Sequence, residues 1–200
     1  RVMLEAHKSV LSLMLLTHRE RAELYIDQFA TEPKEEVEAM NPAEEVGPPA
    51  GEFGQRLEKT GIRVRNLGPD AGGMEMIAFE REDAVRAAEF LRDECRFNLL
   101  LSCSAVDWKT HRESVYHLYS TETHKYLSVK IQADAEEHSP SMMPVWHAAD
   151  WHEREAYDLM GIIYDGHANL SRILMPSDWV GHPLRQDYKV DDPRLVWNER

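Results

Sequence analysis

The sequence predicts an α+β fold: a two-layer domain with helices on one face of a mixed five-stranded sheet, preceded by an N-terminal helix and followed by an extended, irregular C-terminal tail. Three observations carry the prediction. From residue 52 to 131 the apolar periods run helix, two strands, helix, three strands, an order that packs as two layers. Val115, His117 and Tyr119 alternate with Tyr116 and Leu118, and Leu127, Val129 and Ile131 alternate with Ser128 and Lys130, the period of half-buried strands. After Gly161 all period is lost while large apolar and aromatic side chains continue.

In chain order, residues 1–30 read as an amphipathic helix, with Val2, Met3, Val10, Leu13, Leu16, Leu24, Ile26 and Phe29 interleaved with charged residues. This helix suits packing on its own domain and docking onto a neighbour equally. Residues 31–51 hold six Glu and four Pro in their first twenty positions, the composition of a linker or a surface-draped segment. The domain spans 52–160. A short helix over 53–60 is closed by Gly61; strands over 62–67 and 74–79 flank Pro69-Asp70 and Gly72-Gly73, a hairpin signal. A helix over 81–94 turns Ala84, Val85, Ala88, Phe90 and Leu91 inward, with acidic residues in its first turn where the helix dipole favours them. Strands follow over 97–104, 114–119 and 126–131. Ser139-Pro140-Ser141 opens a last helix over 143–160, and Gly161 takes the position of a C-terminal stop. Asp150, Arg154 and Asp158 recur there at four-residue spacing. They suit an ion-pair ladder along the helix and, as an alternative, a clamp in which the tail claims Arg154.

The tail, 161–200, is punctuated by turn formers at Asp165-Gly166, Ala168-Asn169, Pro176-Ser177, Gly181 and Pro183. It also carries Ile162, Ile163, Tyr164, Leu170, Ile173, Leu174, Met175, Trp179, Val180, Leu184 and Tyr188, more apolar surface than a disordered segment leaves in water. Such a segment is pinned against a surface, and aromatic and Arg anchors are the residue mix of interface hot spots.

Composition excludes several classes. A net charge of −13, from 36 acidic against 23 basic residues, repels nucleic acid and anionic lipid. No apolar run reaches membrane-spanning length, and the Val10–Leu16 stretch lacks the flanks of a signal peptide. Cys95 and Cys103 form no metal-binding spacing and read as reduced core thiols; a cluster normally needs four thiolates. His152-Glu153-Arg154-Glu155-Ala156 begins like a zinc-protease helix but has Ala156 where the second His must stand. His138, His147, His152, His167 and His182 read as polar tips satisfied at an interface. No nucleophile elbow, dinucleotide fingerprint or phosphate loop is present. The Asp178 and Asp187 pair reads as turn caps with an Arg partner.

Glu153-Arg154-Glu155, Tyr157-Asp158-Leu159, Gly161-Ile162, Gly166-His167, Arg172-Ile173-Leu174, Trp179, Gly181-His182-Pro183-Leu184-Arg185 and Asp187-Tyr188 together resemble the signature of the C-type, 30 kDa subunit family of respiratory complex I (NADH:quinone oxidoreductase). The family includes a photosynthetic relative, the J-type subunit of the NAD(P)H-quinone oxidoreductase. The resemblance covers about Ser141 to Tyr188 and, more loosely, reaches back to Gly54. Family members usually carry Phe, Pro and Lys where Met160, Ala168 and Gln186 stand, so a positive charge is missing at 186. The resemblance implies a non-catalytic peripheral-arm subunit of a proton-translocating enzyme, on the cytoplasmic, matrix or stromal side of an energy-transducing membrane. It implies no cofactor in this chain, with iron–sulfur clusters, FMN and quinone held by other subunits. The implied partners are the D-type subunit (49 kDa), the B-type subunit, which carries the terminal cluster, and other peripheral-arm subunits. The expected partner-binding residues are Glu153, Arg154, Tyr157, Asp158, His167, Arg172, Trp179, His182, Pro183, Arg185, Asp187 and Tyr188. The same subunit type also resembles components of the ferredoxin-driven photosynthetic complex and of membrane-bound hydrogenases, which keeps those machines as the alternative. A third class, a free-standing enzyme with the tail as a lid, requires a ligand pocket.

Overall fold

The structure is a computed structural model that describes residues 48–189. The helix expected over 1–30, the linker up to residue 47 and the last residues of the tail, 190–200, lie outside the described residues. The elements are α1 (Glu52–Glu58), β1 (Val64–Pro69), β2 (Glu75–Phe79), a 3-10 turn (Arg81–Asp83) leading into α2 (Ala84–Asp93), β3 (Leu99–Asp107), β4 (Arg112–Tyr119), β5 (Tyr126–Gln132), β6 (His138–Pro140), α3 (Ala149–Met160) and β7 (Ile163–Asp165).

The five longer strands form one sheet in the order β1-β2-β5-β4-β3. It is mixed because β2 and β5 run parallel while the other neighbours are antiparallel. Register places Ile77, Val129, Tyr116 and Cys103 side by side across β2, β5, β4 and β3. That row lies on the face covered by the helices, and the core gathers Ile77, Phe79, Leu127, Val129, Ile131, Tyr116 and Leu118 with Leu57, Ala88, Leu91, Ala149 and Ala156 of α1, α2 and α3. The predicted α+β two-layer fold is the observed one.

Local chemistry explains the boundaries. The β1–β2 turn is organised by Asp70, whose Oδ1 accepts the N–H groups of Gly72 and Met74 at 2.8 Å each. No side chain of its own caps α1; the carboxylate of Glu75 on β2 reaches across to accept the N–H of Gly54 at 2.9 Å, beside the positive end of the helix. Several boundaries differ from the sequence expectation: β1 runs Val64–Pro69 where 62–67 is expected, and β4 starts at Arg112 where 114 is expected. The helix expected from 81 begins as a 3-10 turn. The strand expected over 97–104 starts at Leu99 and continues to Asp107, because Arg96 at φ 63 and the Phe97 N–H bonded back to Leu91 prolong the helix exit. The last helix begins at Ala149 and not at 143. Pro144 has no N–H to give to a helix, and the Met142 N–H is taken by Glu153 at 2.7 Å. Residues 138–140 pair instead with 163–165 as a small parallel sheet, and the segment between makes turns whose Val145 and Trp146 N–H groups both bond to the Met142 carbonyl.

Candidate functional site

The last four carbonyls of any helix lack intrahelical partners, and at the end of α3 Gly161 and the tail supply partners to three of them. The Gly161 N–H bonds to Tyr157 O at 2.9 Å. Asp158 O accepts His182 Nδ1–H at 3.0 Å and Arg172 Nη1–H at 3.2 Å. Leu159 O accepts the Leu184 N–H at 3.0 Å. Arg172 is also the cation that the negative end of the helix favours. The tail is therefore a strap that folds back over the C-terminal turn of α3.

Asp158 anchors the strap. Its side chain is 0% exposed; Oδ1 takes Arg172 Nη1–H at 2.7 Å, while Oδ2 alone accepts the consecutive N–H groups of Ile173, Leu174 and Met175 at 3.0, 2.7 and 2.9 Å. Burial pushes this carboxyl up, but those backbone donors and Arg172 outweigh it and hold it below the usual carboxylate range. Arg172 continues to the Gly181 carbonyl at 2.9 Å. Gly161 itself sits at φ +80, and a Cβ there would lie 2.7 Å from the His182 ring. We expect Gly161→Ala to destabilise the chain by about 1–3 kcal/mol in urea unfolding; an unchanged midpoint would refute this account of the helix stop.

The ladder of Asp150, Arg154 and Asp158 does not form, because the tail claims each member. Arg154 donates to Ser171 O at 3.1 Å and Oγ at 3.0 Å and lies over the Trp151 ring at 5.0 Å. Asp150 meets His167 Nε2 at 3.3 Å; because His167 Nδ1 accepts the Asn169 N–H, the neutral ring carries its proton on Nε2. Tyr157 packs edge-on to His182. Further along, Tyr188 lies against Gly181 and donates to Val180 O at 3.3 Å, Arg185 pairs with Asp187 at 2.9 Å, and Trp179 is half-buried with an Nε1–H that has no partner among the described residues. Pro183 lies in the turn between His182 and Leu184, half-buried.

Sequence reasoning missed the partners that fix the strap. Asp107, at the end of β3, accepts the Gln186 N–H on Oδ2 at 3.0 Å and the Gln186 side-chain amide on its carbonyl at 2.6 Å. Burial pushes the Asp107 carboxyl up, but the backbone N–H groups of Gln186 and Lys109 and the nearby Arg112 hold it below its ordinary range. Gln186 thus makes a neutral latch onto Asp107. Arg112 in turn pairs with Glu137.

Beneath the strap lies Glu153, expected as a partner contact but 0% exposed. It sits on the α3 face that meets the sheet, so its carboxylate is used inside the chain. It accepts Ser141 Oγ–H at 2.5 Å, Met142 N–H at 2.7 Å and Tyr116 Oη–H at 3.1 Å. Burial pushes its pKa up to about 7 against the pull of these donors. Burial likewise raises the Cys103 thiol and the Tyr116 and Tyr164 phenols. Tyr164 meets Ser114 Oγ at 2.7 Å.

The fold and this strap define a class: a small α+β domain whose C-terminal segment is fixed across a helix end while presenting Trp151, Leu174, Val180 and Leu184, 62, 58, 84 and 56% exposed. Among the described residues no group of three or more His, Cys, Asp or Glu could hold a metal ion, and no helix is long and apolar enough to cross a membrane. Residues 77–194, more than half of the chain, match the family described as "Respiratory-chain NADH dehydrogenase, 30 Kd subunit". The chain belongs to that family. It is similar to the C-type subunit of the NADH-quinone oxidoreductase of Nocardioides sp., 46% identical over 55% of this chain and 47% of the relative. The equivalent protein of Geotalea uraniireducens is 43% identical over 60% of this chain and 76% of the relative. The match thus spans about half the length of the Nocardioides relative. Among solved structures, a chain of the membrane-bound sulfane sulfur reductase, an archaeal respiratory membrane complex, shares the fold over 68% of this chain and 82% of its own, with a TM-score of 0.52 and 23% identity. A trypsin-resistant fragment of Nqo5 does so over 58% and 95%, with a TM-score of 0.50 and 22% identity.

Proposed function

We propose that this chain is a non-catalytic peripheral-arm subunit of a proton-translocating NADH:quinone oxidoreductase, which braces the subunits that form the quinone site and hold the terminal iron–sulfur cluster. Its partners in this reading are the 49 kDa subunit, one wall of the quinone site, with the carrier of the terminal cluster beside it. The electron carriers, FMN, clusters and quinone, belong to other subunits. The observation that carries the reading is the strap. Its backbone is fixed by bonds to α3 and Asp107, yet its Leu174, Val180 and Leu184 side chains stay exposed. A segment rigid before contact loses little further freedom on binding, as suits a part that fixes loops of a neighbour. Trp151, Arg154, Leu174, Trp179, His182, Leu184 and Arg185 supply the contact surface, and Glu153, Asp158 and Arg172 hold its shape from within.

The relatives of Nocardioides sp., Geotalea uraniireducens and Geobacter metallireducens, each named as this same component of NADH-quinone oxidoreductase, favour this machine over the ferredoxin-driven or hydrogenase alternative. A double variant, Leu174→Asp with Val180→Asp, tests the reading. Both side chains are exposed, so the unfolding free energy of the isolated chain changes by no more than roughly 0.5 kcal/mol for each of these surface changes. Recovery of the chain with the quinone-site subunits on a native gel falls at least about tenfold, the effect of losing some 1.4 kcal/mol of binding. Wild-type recovery of the double variant would overturn the assignment of this surface.

A further inference from the structure

We propose that the free edge of β3, with the α3 face above it, is a second docking surface that takes an extended strand of a partner protein through sheet addition. The inference rests on the reading of the chain as part of a larger complex, but the feature that carries it, the backbone edge of β3, lies outside the strap, with Trp151 and Leu184 bordering both surfaces. β3 ends the sheet on one side as β1 does on the other. The β1 edge is guarded: it carries Arg65, a bulge between Asn66 and Gly68, and Pro69, devices that keep other strands from pairing. β3 has neither Pro nor a basic residue along its nine positions, and it exposes Leu99 and Leu101 at 42 and 45%. Beyond its own irregularity between Leu100 and Ser102, the run from Ser102 to Asp107 pairs residue by residue with β4. Among the described residues, no backbone hydrogen bond reaches the outer side of Ser102 to Val106. The strap closes only the far end, where Gln186 takes Asp107.

A cavity of about 200 Å3 opens alongside this run, between Cys103 and Ala105 on β3, Leu159 and Met160 on α3, and Leu184 of the strap. Trp151, Glu155 and Leu159 recur at four-residue spacing, so they share one face of α3; Glu155 and Leu159 line the cavity, and Trp151 extends the same face while 62% exposed. Unpaired backbone donors and acceptors at strand spacing select an extended chain over a helix, because only a strand returns hydrogen bonds along a sheet edge. The side chains of such a strand alternate, so every second one faces α3. The cavity takes one large apolar side chain there, and Glu155 at its rim, in a chain of net charge −13, favours a basic residue beside it. The occupant is therefore an extended partner segment with an apolar residue next to a Lys or Arg.

The test is hydrogen exchange resolved to single amides, on the full-length chain alone and in the complex purified from membranes. Strand addition slows the outward-facing amides among residues 102–106 by at least about 100-fold in the complex, at every second position, and leaves the β4-bonded ones unchanged. Protection of residues 172–188 without any change at 102–106 overturns this inference and leaves the proposed function standing. No change at either place removes both. Protection of β3 already present in the isolated chain, together with a dimeric mass, would assign the edge to a second copy of this chain and overturn the partner assignment.

Discussion

Asp158→Ala is expected to lower the unfolding free energy by about 3–5 kcal/mol, the cost of removing one partner from a buried ion pair, and so to lower Tm by roughly 6–20 °C for a chain of this size. The residue is 0% exposed, and its two oxygens serve one guanidinium and three consecutive backbone N–H groups. Truncation takes the carboxylate from Arg172, which keeps only the carbonyls of Asp158 and Gly181, and from the three backbone N–H groups, whereas an exposed ion pair contributes about 0–1 kcal/mol. The first loss is local. The amides of residues 173–175 should exchange at rates near those of an open loop, and the end of α3 follows, because the same residues place Arg172 and His182 on its terminal carbonyls. The charge has its own signature. Asp158 is held below the usual carboxylate range in the fold, so its contribution is complete above the ordinary carboxylate pKa and fades as pH falls through the folded value. Asp158→Asn should keep the shape and lose that acid-dependent part. A Tm within 2 °C of wild type for the Ala variant, measured by scanning calorimetry at about pH 7, would show that the strap is not anchored at this carboxylate.

What was legible in the sequence follows from which forces are local. Strands β4 and β5 place Tyr116, Leu118, Leu127, Val129 and Ile131 in the core at every second position, and burial of one face imposes that period on the residues themselves. The stop at Gly161 was equally readable, since a left-handed residue after a helix favours glycine. The start of α3 was not. Ser139-Pro140-Ser141 has the form of a helix opening, yet Glu153 draws the Ser141 hydroxyl and Met142 N–H into the core, and β7 takes residues 138–140 as a strand. Both contacts are long-range and leave no local period. The residues of the strap were visible as a cluster of motifs, but not their division of labour. Spacing along α3 places Asp150, Arg154 and Asp158 on one stripe without saying that Ser171, His167 and Arg172 claim them one by one. Asp107 and Arg112 had no signal at all, because a hairpin end 79 residues before Gln186 becomes its latch only through topology.

Glu153 sets the remaining large effect, and its direction is opposite to that of Asp158. It is a carboxylate with no exposure whose contacts are a hydroxyl, a phenol and an amide, none of them cationic. The groups that face it are Cys103 from β3, Tyr116 from β4, Ser141 and Met142 from the turn before α3, and Asp150 from its own helix; none carries a positive charge. Its pKa rises in the fold from 4.5 to about 7. Between those values the native chain holds a proton that the unfolded chain has released, so stability is greatest below about pH 4.5 for this group and falls as pH rises toward 7. The full span corresponds to about 3 kcal/mol, an upper figure for one carboxyl. Glu153→Gln keeps an oxygen for Met142 and Tyr116 and offers N–H to Ser141, but cannot ionise. The variant should match wild type near pH 5 and exceed it by up to about 3 kcal/mol near pH 7.5, read as the urea midpoint at both values. Asp107, Asp134 and Asp158 are held low instead and titrate in stronger acid, so they leave this window to Glu153. A wild-type midpoint that does not fall between pH 5 and pH 7.5 relative to Glu153→Gln would mean that the three donors keep Glu153 ionised throughout, as a fixed buried anion holding the turn before α3.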